Sequence, residues 1–298
     1  MALPSSDAAL DTTSIDALIS RALAEDVGAG DVTTLATVPA GQRASAYFLA
    51  KEDGVLAGLA VAERVFATLD PQVKPAWTHA DGDAVTAGTR FGTVEGAARP
   101  ILTGERLALN LMQRMSGIAT ATRRMAEAAG EATVLDTRKT APGLRVVDKW
   151  AVRLGGGTNH RTGLYDMFLI KDNHIAAAGG VRAAIEAARA YRAERAPELQ
   201  IEVETRTLAE VDAVLEVGGV DRVLLDNMVD LADDGRVDVS VLAEAVRRIG
   251  GRIETEASGN VTLATVPAIA ATGVDFISSG ALTHSVRALD ISLKIALG

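Results

Sequence analysis

A basic segment lies in the middle of an acidic chain. Residues 136–174 contain seven lysines and arginines against four aspartates, a formal charge of +3, whereas the whole chain carries −9. The segment also holds His160 and His174, two of the chain's four histidines. A local excess of positive charge attracts anions, and a small-molecule pocket uses a few such groups to orient its ligand. We therefore expect this segment to line a pocket for small, strongly anionic substrates.

The bases of this segment suit carboxylates and phosphates. Arg138 and Arg161 offer forked donors that match the planar oxygens of such groups, while Lys139 and Lys171 act as point charges. Glycines 155–157 precede His160 and form either a simple linker or a loop that closes on the ligand. Lys171 follows the apolar run 167–170, so a Schiff-base nucleophile at a strand end is a second interpretation of this lysine.

Two acids and two small-residue turns complete the candidate site. Glu204 and Asp226 sit at the ends of adjacent predicted strands and could bind hydrated Mg²⁺, hydrogen-bond a ribose, or balance the basic segment. Ser and Gly turns whose backbone N–H groups point at a ligand bind phosphate, although the same residues dominate ordinary turns. The candidate phosphate-binding residues are Ser258, Gly259, Asn260, Ser279 and Gly280.

The elements that must position these residues alternate between strand and helix after residue 130. The pattern predicts strands at 133–135, 167–170, 200–203, 222–225, 252–255 and 276–278. It predicts helices at 144–154, 181–195, 208–217, 240–249 and 263–271. Repeated strand–helix units form parallel sheets. Polar residues follow every strand, which is typical of a barrel whose site is built from all its loops on one face. We therefore predict an open or incomplete (β/α) barrel with fewer than eight strands.

The first hundred residues predict a smaller α+β unit. A helix at 15–26 capped by Ser14, a strand at 43–50, a helix at 59–69 and short glycine-separated strands from 72 to 101 make up this region. A long helix follows at 103–129 and carries Arg106, which from the sequence alone is a surface charge. We divide the chain into an N-terminal domain at 1–115 and a barrel domain at 116–298, with a last helix packing back on the first domain.

Composition excludes several classes of protein. There is no cysteine, so disulfides, thiolate metal sites and cysteine nucleophiles are ruled out. Acidic balance and 3% aromatic residues argue against nucleic-acid binding. No signal-peptide pattern or membrane-spanning apolar run is present, and we expect a cytoplasmic location with no membrane partner. No Ser-His-Asp triad or paired metal histidines are visible either.

The motifs in order resemble those of one family along nearly the whole chain. They include Gly-Asp-Val-Thr-Thr at 30–34, Gly-Glu-Arg at 104–106, Asp-Thr-Arg-Lys-Thr at 136–140 and His-Arg at 160–161. Lys-Asp-Asn-His at 171–174, Glu-Val-Glu at 202–204, Leu-Asp-Asn at 225–227 and Glu-Ala-Ser-Gly-Asn at 256–260 continue the series. The chain resembles the quinolinate phosphoribosyltransferases, which are also called carboxylating nicotinate-nucleotide pyrophosphorylases. Asn260 is a departure, because many relatives carry glycine there.

This resemblance implies a reaction and a division of roles. Quinolinate and phosphoribosyl pyrophosphate would give nicotinate mononucleotide, pyrophosphate and CO₂ with Mg²⁺ as the cofactor, in an obligate homodimer. Catalytic roles would fall to Lys139, Lys171, Glu204 and Asp226, with Glu204 and Asp226 also holding the metal. Arg106 would reach across the interface into the partner's site. The residues implied to bind substrate are Arg106, Arg138, Lys139, His160, Arg161, Lys171, His174, Glu204 and Asp226.

Three alternatives stay open at this stage. A Schiff-base aldolase or lyase using Lys171 fits the same barrel. A related phosphoribosyltransferase of another ring acid, for example one tied to molybdate uptake, differs only in how the ring is recognised. A non-catalytic anion-binding homologue is disfavoured, because both acids and all the basic residues are retained.

Overall fold

The structure, a computed structural model, describes residues 11–232 and 235–296 and divides into two compact units. The first takes in the residues up to Arg123, Thr140–Gly156 and those from Leu282 onward, and the second takes in Arg124–Lys139 and Gly157–Ala281. The predicted domain boundary after residue 115 lies in the same long helix as the division after Arg123. No helix within the described ranges combines the length and the apolar character that crossing a membrane requires.

Strands and helices alternate through most of the chain. The strands are β1 (Arg43–Ala50), β2 (Gly54–Val55), β3 (Lys74–Trp77), β4 (Ala84–Val85), β5 (Arg90–Ala97), β6 (Thr133–Leu135), β7 (Phe168–Ile170), β8 (Ile201–Thr205), β9 (Arg222–Asp226), β10 (Asp230–Leu231), β11 (Val237–Asp238), β12 (Glu254–Ser258), β13 (Phe276–Ser278) and β14 (Ile291–Ala296). The helices are α1 (Thr12–Val27), α2 (Val32–Thr37), α3 (Leu59–Leu69), α4 (Ala98–Ala129), α5 (Arg145–Leu154), α6 (Asp172–Ala178), α7 (Val181–Arg195), α8 (Leu208–Val217), α9 (Ser240–Ile249), α10 (Val266–Ala270) and α11 (Ala281–His284).

The first unit is built on an antiparallel four-stranded sheet in the order β14-β1-β5-β3. Alternate residues of β1 are buried, as expected for a strand with one face on a core. Phe48 of β1 meets Phe66 of α3 and Phe91 of β5, and all three rings are fully buried. This aromatic cluster fixes the sheet against α3.

Helix starts in the first unit differ from the predicted ones. Asp11 caps α1 in place of Ser14, because its Oδ1 accepts the Ser14 N–H at 3.1 Å. The short α2 was not predicted, although Asp31 caps it in the same way through Thr34 N–H. Helix α4 begins five residues before the predicted start at Thr103 and includes Pro100 in its first turn, where proline's missing N–H costs no helical bond.

The second unit is a parallel six-stranded sheet in the order β6-β13-β12-β9-β8-β7. Within the residues described for this unit, the end strands β6 and β7 do not pair with each other, so the barrel is open, as predicted. The predicted bounds of β6 and β13 are confirmed, while β12 begins two residues later than expected. Arg252, placed in that strand from the sequence, instead donates to the Ile249 and Arg248 carbonyls at the end of α9.

The last described segment is a strand where a helix was predicted. Ile291 and Leu293 of β14 are buried, whereas Lys294 between Leu293 and Ile295 is exposed, which is the period of a strand. β14 pairs antiparallel with β1 from Ile291 opposite Ala50 to Ala296 opposite Ser45. The segment therefore belongs to the sheet of the first unit, but as a strand.

Candidate active site

A cavity of about 530 Å³ lies in the second unit where the parallel strands end. Residues at or just after the ends of β6, β7, β8, β9, β12 and β13 line it, because parallel strands bring their carboxyl ends to one edge. The cavity is lined by the predicted residues Arg138, Lys139, His160, Arg161, Lys171, Glu204, Asp226, Ser258 and Gly259. Four of the predicted cations and both predicted acids, from five separate chain segments, thus meet in one space.

Several predicted site residues lie elsewhere. His174 is exposed on α6, and its Nδ1 accepts the Lys171 N–H at 2.9 Å, so it fixes the turn that carries Lys171. Ser279 is buried and donates its N–H to the Leu135 carbonyl at 3.0 Å. Gly280, which follows it, is also absent from the cavity lining. Arg106 is exposed on α4 in the first unit. Their predicted roles stay predictions.

The turn after β12 needs small residues for two different reasons. Gly259 has φ +90°, and a Cβ placed there would collide with the side chain of Asn227. Asn260 has φ +53°, a left-handed conformation that glycine and asparagine tolerate best. Its Nδ2 donates to the Val229 carbonyl at 2.8 Å rather than lining the cavity. Asparagine at position 260 is therefore compatible with this backbone.

Arg206, which we did not predict as a site residue, bridges the acids at the mouth of the cavity. Its Nη2 lies 2.9 Å from Glu204 Oε1, its Nη1 lies 2.8 Å from Asp172 Oδ2, and its Nε lies 3.5 Å from Asp226 Oδ2. Lys171 Nζ holds the other Glu204 oxygen at 2.7 Å. The sequence offered one signal, since Arg206 follows a predicted strand end by three residues, but that signal does not separate it from a surface charge.

The charged groups that line the cavity shift one another's pKa values. Burial raises the pKa of Asp226, and the neighbouring Glu204 carboxylate raises it further, against the opposing effect of Arg206 and Lys171. Burial also lowers the pKa of Arg161, and the nearby Arg138 guanidinium adds to this. Negative charges are therefore crowded on one side of the cavity and positive charges on the other. This arrangement favours a ligand that carries both signs of charge, or an anionic ligand that binds together with a metal cation.

A buried ionic network lies beneath the cavity. His160 Nε2 is 2.9 Å from Glu202 Oε2 and 3.4 Å from Glu256 Oε2, and both glutamates are almost completely buried. Arg222 Nη1 lies 3.2 Å from Glu256 Oε2, while its guanidinium stacks 3.8 Å from the Phe276 ring centre. Glu202, Glu256 and Arg222 were not predicted as site residues, although charged residues inside apolar strands were a usable signal.

Two influences compete for the charge of His160. The Arg161 N–H donates to His160 Nδ1 at 2.8 Å, which requires that nitrogen to be unprotonated. Burial lowers the pKa of His160, but its bonds to Glu202 and Glu256 outweigh burial and raise the pKa to about 9. Burial and the Glu256 charge raise the pKa of Glu202 to about 7. We expect the two carboxylates to dominate, because they are charges in low-dielectric surroundings.

The cavity mouth fits a divalent cation better than the buried network does. Glu204 and Asp226 supply oxygen ligands, which Mg²⁺ prefers, and the guanidinium of Arg206 already marks a position shared by both acids. His160, Glu202 and Glu256 also present three ligand atoms within 4.8 Å of one another. Arg222 pairs with Glu256, and His160, whose raised pKa favours its charged form, pairs with Glu202, so that second group is already compensated without a metal.

An open α/β barrel with cations facing acids at the carboxyl edge of its strands defines a barrel enzyme for small anionic substrates. Models of the C-terminal and N-terminal domains of quinolinate phosphoribosyl transferase match residues 118–294 and 31–116. The chain belongs to the quinolinate phosphoribosyltransferase family, which is a family of pentosyltransferases.

Relatives and solved structures agree with this assignment. The chain is 57% identical over 290 residues to the chloroplastic nicotinate-nucleotide pyrophosphorylase (carboxylating) of Arabidopsis thaliana, covering 95% of this chain and 83% of the relative. Identity and coverage are the same for a quinolinate phosphoribosyltransferase (decarboxylating) of Nicotiana tabacum. The crystal structure of NadC from Streptococcus pyogenes superposes with a TM-score of 0.89 at 40% identity, covering 98% of this chain and all of that one.

Gly259→Ala tests the demand for glycine beside the cavity. A left-handed alanine costs about 1–2 kcal/mol, and the collision with Asn227 adds about 1–3 kcal/mol. Gly251→Ala is the matched control, because Gly251 has φ +71° but open space around its Cβ position. We expect Gly259→Ala to lower Tm more than Gly251→Ala does, measured by scanning calorimetry. We expect only Gly259→Ala to weaken the binding of ribose 5-phosphate, measured by titration calorimetry. Equal effects of the two substitutions would contradict the packing argument.

The pKa of His160 predicts a pH-dependent stability. A folded pKa of about 9 lies above the usual value of 6.5, so this group's contribution is fully present below pH 6.5 and is lost as pH rises through 9. We expect the free energy of unfolding of the protein to fall across this range, and His160→Gln to remove most of that slope. Proton NMR of the four histidines reports the titration directly. A His160 that titrates below pH 6.5 would show that the Arg161 N–H bond governs instead.

Proposed function

We propose that this protein transfers ribose 5-phosphate from phosphoribosyl pyrophosphate to the ring nitrogen of quinolinate and removes the adjacent carboxyl group as CO₂. Nicotinate mononucleotide and pyrophosphate are the other products, in a step of NAD biosynthesis. The observation that carries this proposal is the meeting of Arg138, Lys139, Arg161 and Lys171 with Glu204 and Asp226 in one cavity. Family membership and the printed names of the relatives support it.

The four cations suit the ring acid. Quinolinate carries two adjacent carboxylates, and two arginine forks with two lysine charges can hold both while leaving the ring nitrogen free. Held in this way, the nitrogen meets the anomeric carbon of the donor as part of one complex, which removes much of the entropy cost of the encounter. The turn at Ser258 and Gly259 suits the 5-phosphate of the donor.

The two acids suit the transition state. Loss of pyrophosphate leaves positive charge on the anomeric carbon, and fixed carboxylates stabilise such charge strongly in a site that excludes water. Glu204 is buried and held by Lys171 and Arg206, so its orientation is set before the substrate arrives. After transfer, the pyridinium nitrogen withdraws the electron pair left by departing CO₂, and a proton then takes the place of the carboxyl group.

Mg²⁺ is part of the proposal. When bound, it would neutralise charge on the leaving pyrophosphate. Glu204 and Asp226 would hold it together with donor oxygens, and their oxygen-only ligand set suits this ion. No covalent intermediate on the protein is needed for any of these steps.

The Schiff-base alternative is less well supported. Lys171 Nζ lies 2.7 Å from Glu204 Oε2, so the nitrogen that would have to attack a carbonyl is already engaged in an ion pair. We also propose a homodimer in which Arg106 completes the partner's site, supported by its exposure on α4. A cytoplasmic location stays a prediction, and the Arabidopsis relative is named as chloroplastic.

Release of labelled CO₂ tests the reaction and the ring specificity together. With phosphoribosyl pyrophosphate and Mg²⁺, we expect CO₂ from quinolinate and nucleotide formation from nicotinate that is weaker by about 10⁴-fold, because nicotinate leaves cations of the receptor unpaired. Arg161→Gln should lose most of the activity, whereas Arg182→Gln, which changes an exposed ion pair on α7, should keep it. Nucleotide formation from nicotinate without loss of CO₂ would favour the related ring-acid enzyme.

Mixing two inactive variants tests the shared site. Arg106→Ala and Lys171→Ala should each lower kcat/KM by about 10²-fold or more, because each removes a cation that contacts the anionic substrates. In an equal mixture after subunit exchange, half of the dimers would be mixed, and each would hold one intact site, giving about a quarter of the original activity. An activity no higher than that of the separate variants would rule out donation of Arg106 across the interface.

A further inference from the structure

Arg206 occupies the place in the cavity where the proposed reaction needs a cation. Its three nitrogens contact Glu204, Asp172 and Asp226 at distances of 2.9, 2.8 and 3.5 Å, so one guanidinium is shared by three carboxylates. With Lys171 on the other oxygen, the Glu204 carboxylate has a cation on each side. In this arrangement both Glu204 oxygens and one Asp226 oxygen face a cationic side chain, so a metal or a sugar must compete with Arg206 for them.

The side chain of Arg206 is built to move while its backbone stays in place. Glu210 accepts the N–H groups of Arg206 and Thr207 at 2.6 and 3.1 Å, and Thr207 Oγ1 in turn caps α8. This capping box fixes the chain just after β8. The guanidinium itself is half-exposed, with 48% of its side chain accessible, whereas Glu204 below it is buried. A long side chain on a fixed backbone can change its ion-pair partners without a backbone rearrangement.

Electrostatics supplies the reason to move. A divalent cation at Glu204 and Asp226 would stand within a few ångströms of the guanidinium and repel it, at a distance where two like charges interact strongly. The same cation arrives with a diphosphate, which offers Arg206 several new anionic oxygens. Arginine binds such oxygens with its planar fork, so the loss of the carboxylates is offset by the phosphates.

We propose that Arg206 is an internal counter-cation that holds Glu204 and Asp226 before a ligand binds, competes with the divalent cation for them, and on displacement binds the diphosphate of the phosphoribosyl donor. The inference rests on the proposed function for the identity of the donor. The competition with a divalent cation stands on the ion pairs alone. Arg206 thus couples the arrival of the metal to the capture of the donor.

Binding of Mn²⁺ alone tests the competition. We expect Arg206→Gln to bind Mn²⁺ about tenfold more tightly than the unchanged protein, measured by electron paramagnetic resonance of free Mn²⁺, since a competing charge is gone. Arg206→Lys keeps the positive charge but lacks the forked donors. Its affinity for Mn²⁺ should lie between those of Arg206→Gln and the unchanged protein. Arg182→Gln, which changes an exposed ion pair with Glu216 outside the cavity, is the matched control and should bind as before. Unchanged or weaker Mn²⁺ binding by Arg206→Gln overturns the proposal.

Binding of the donor tests the second half. With saturating Mg²⁺, Arg206→Gln should bind pyrophosphate and phosphoribosyl pyrophosphate about tenfold more weakly and raise KM for the donor more than it lowers kcat. Tighter Mn²⁺ binding with unchanged donor affinity would refute the transfer to the diphosphate. If Arg206→Gln fails to fold, both the Mn²⁺ and the donor measurements are made on Arg206→Lys. If the unchanged protein shows no turnover of quinolinate while the Mn²⁺ difference persists, the proposed function falls and the competition stands.

Discussion

Two carboxylates buried against each other beneath the cavity are the constraint on which the second unit depends. Glu202 and Glu256 come from β8 and β12, and ionised groups in an apolar interior are costly unless they are paired. His160 and Arg222 supply the pairing, and one oxygen of Glu202 still has no hydrogen-bond partner within the described part of the chain. Because His160 also accepts the Arg161 N–H, this network sets the course of the loop that brings Arg161 to the cavity.

The cavity contains two kinds of ion pair that differ in how firmly they are held. Below, Arg222 is wedged between Glu256 and the ring of Phe276, and its side chain is only 10% exposed. At the mouth, Arg206 faces solvent and spans three acids. Rigid pairs preserve the spacing of the strand ends, whereas exposed pairs are weak enough to be exchanged for those of a ligand. The ion pairs that stay in place therefore lie beneath the site, and the ion pairs that a ligand can replace lie within it.

Much of the fold follows from local signals that the sequence carries. The predicted bounds of α7, α8 and α9 are confirmed, and each helix is followed by a local stop signal, which is Pro197 after α7, Gly218 after α8 and Gly250 after α9. β14 was missed because its partner β1 lies far away along the chain, and pairing over that distance leaves no local mark. β12 was displaced because Arg252 looked like a strand residue but completes the end of α9.

The residues of the candidate site could likewise be predicted only in part from the sequence, and the reason is related. Charged residues after strands were identified because every parallel strand delivers its carboxyl end to the same edge. Which charges meet was not predictable: Arg206 joins Asp172 and Asp226 only because β7, β8 and β9 are neighbours in the sheet. His174 was included for its motif, yet its ring is used to stabilise the start of α6.

The pairing of β14 with β1 has a consequence for how the protein is made. β1 ends at Ala50, whereas β14 begins at Ile291, so the ribosome must add about 240 residues before the two strands can meet. During that time the nascent chain presents the unpaired edge of β1 to its surroundings, and such edges invite pairing with other chains. The first unit therefore completes its sheet only after the barrel has been synthesised, and chaperones that shield strand edges would be most useful in that interval.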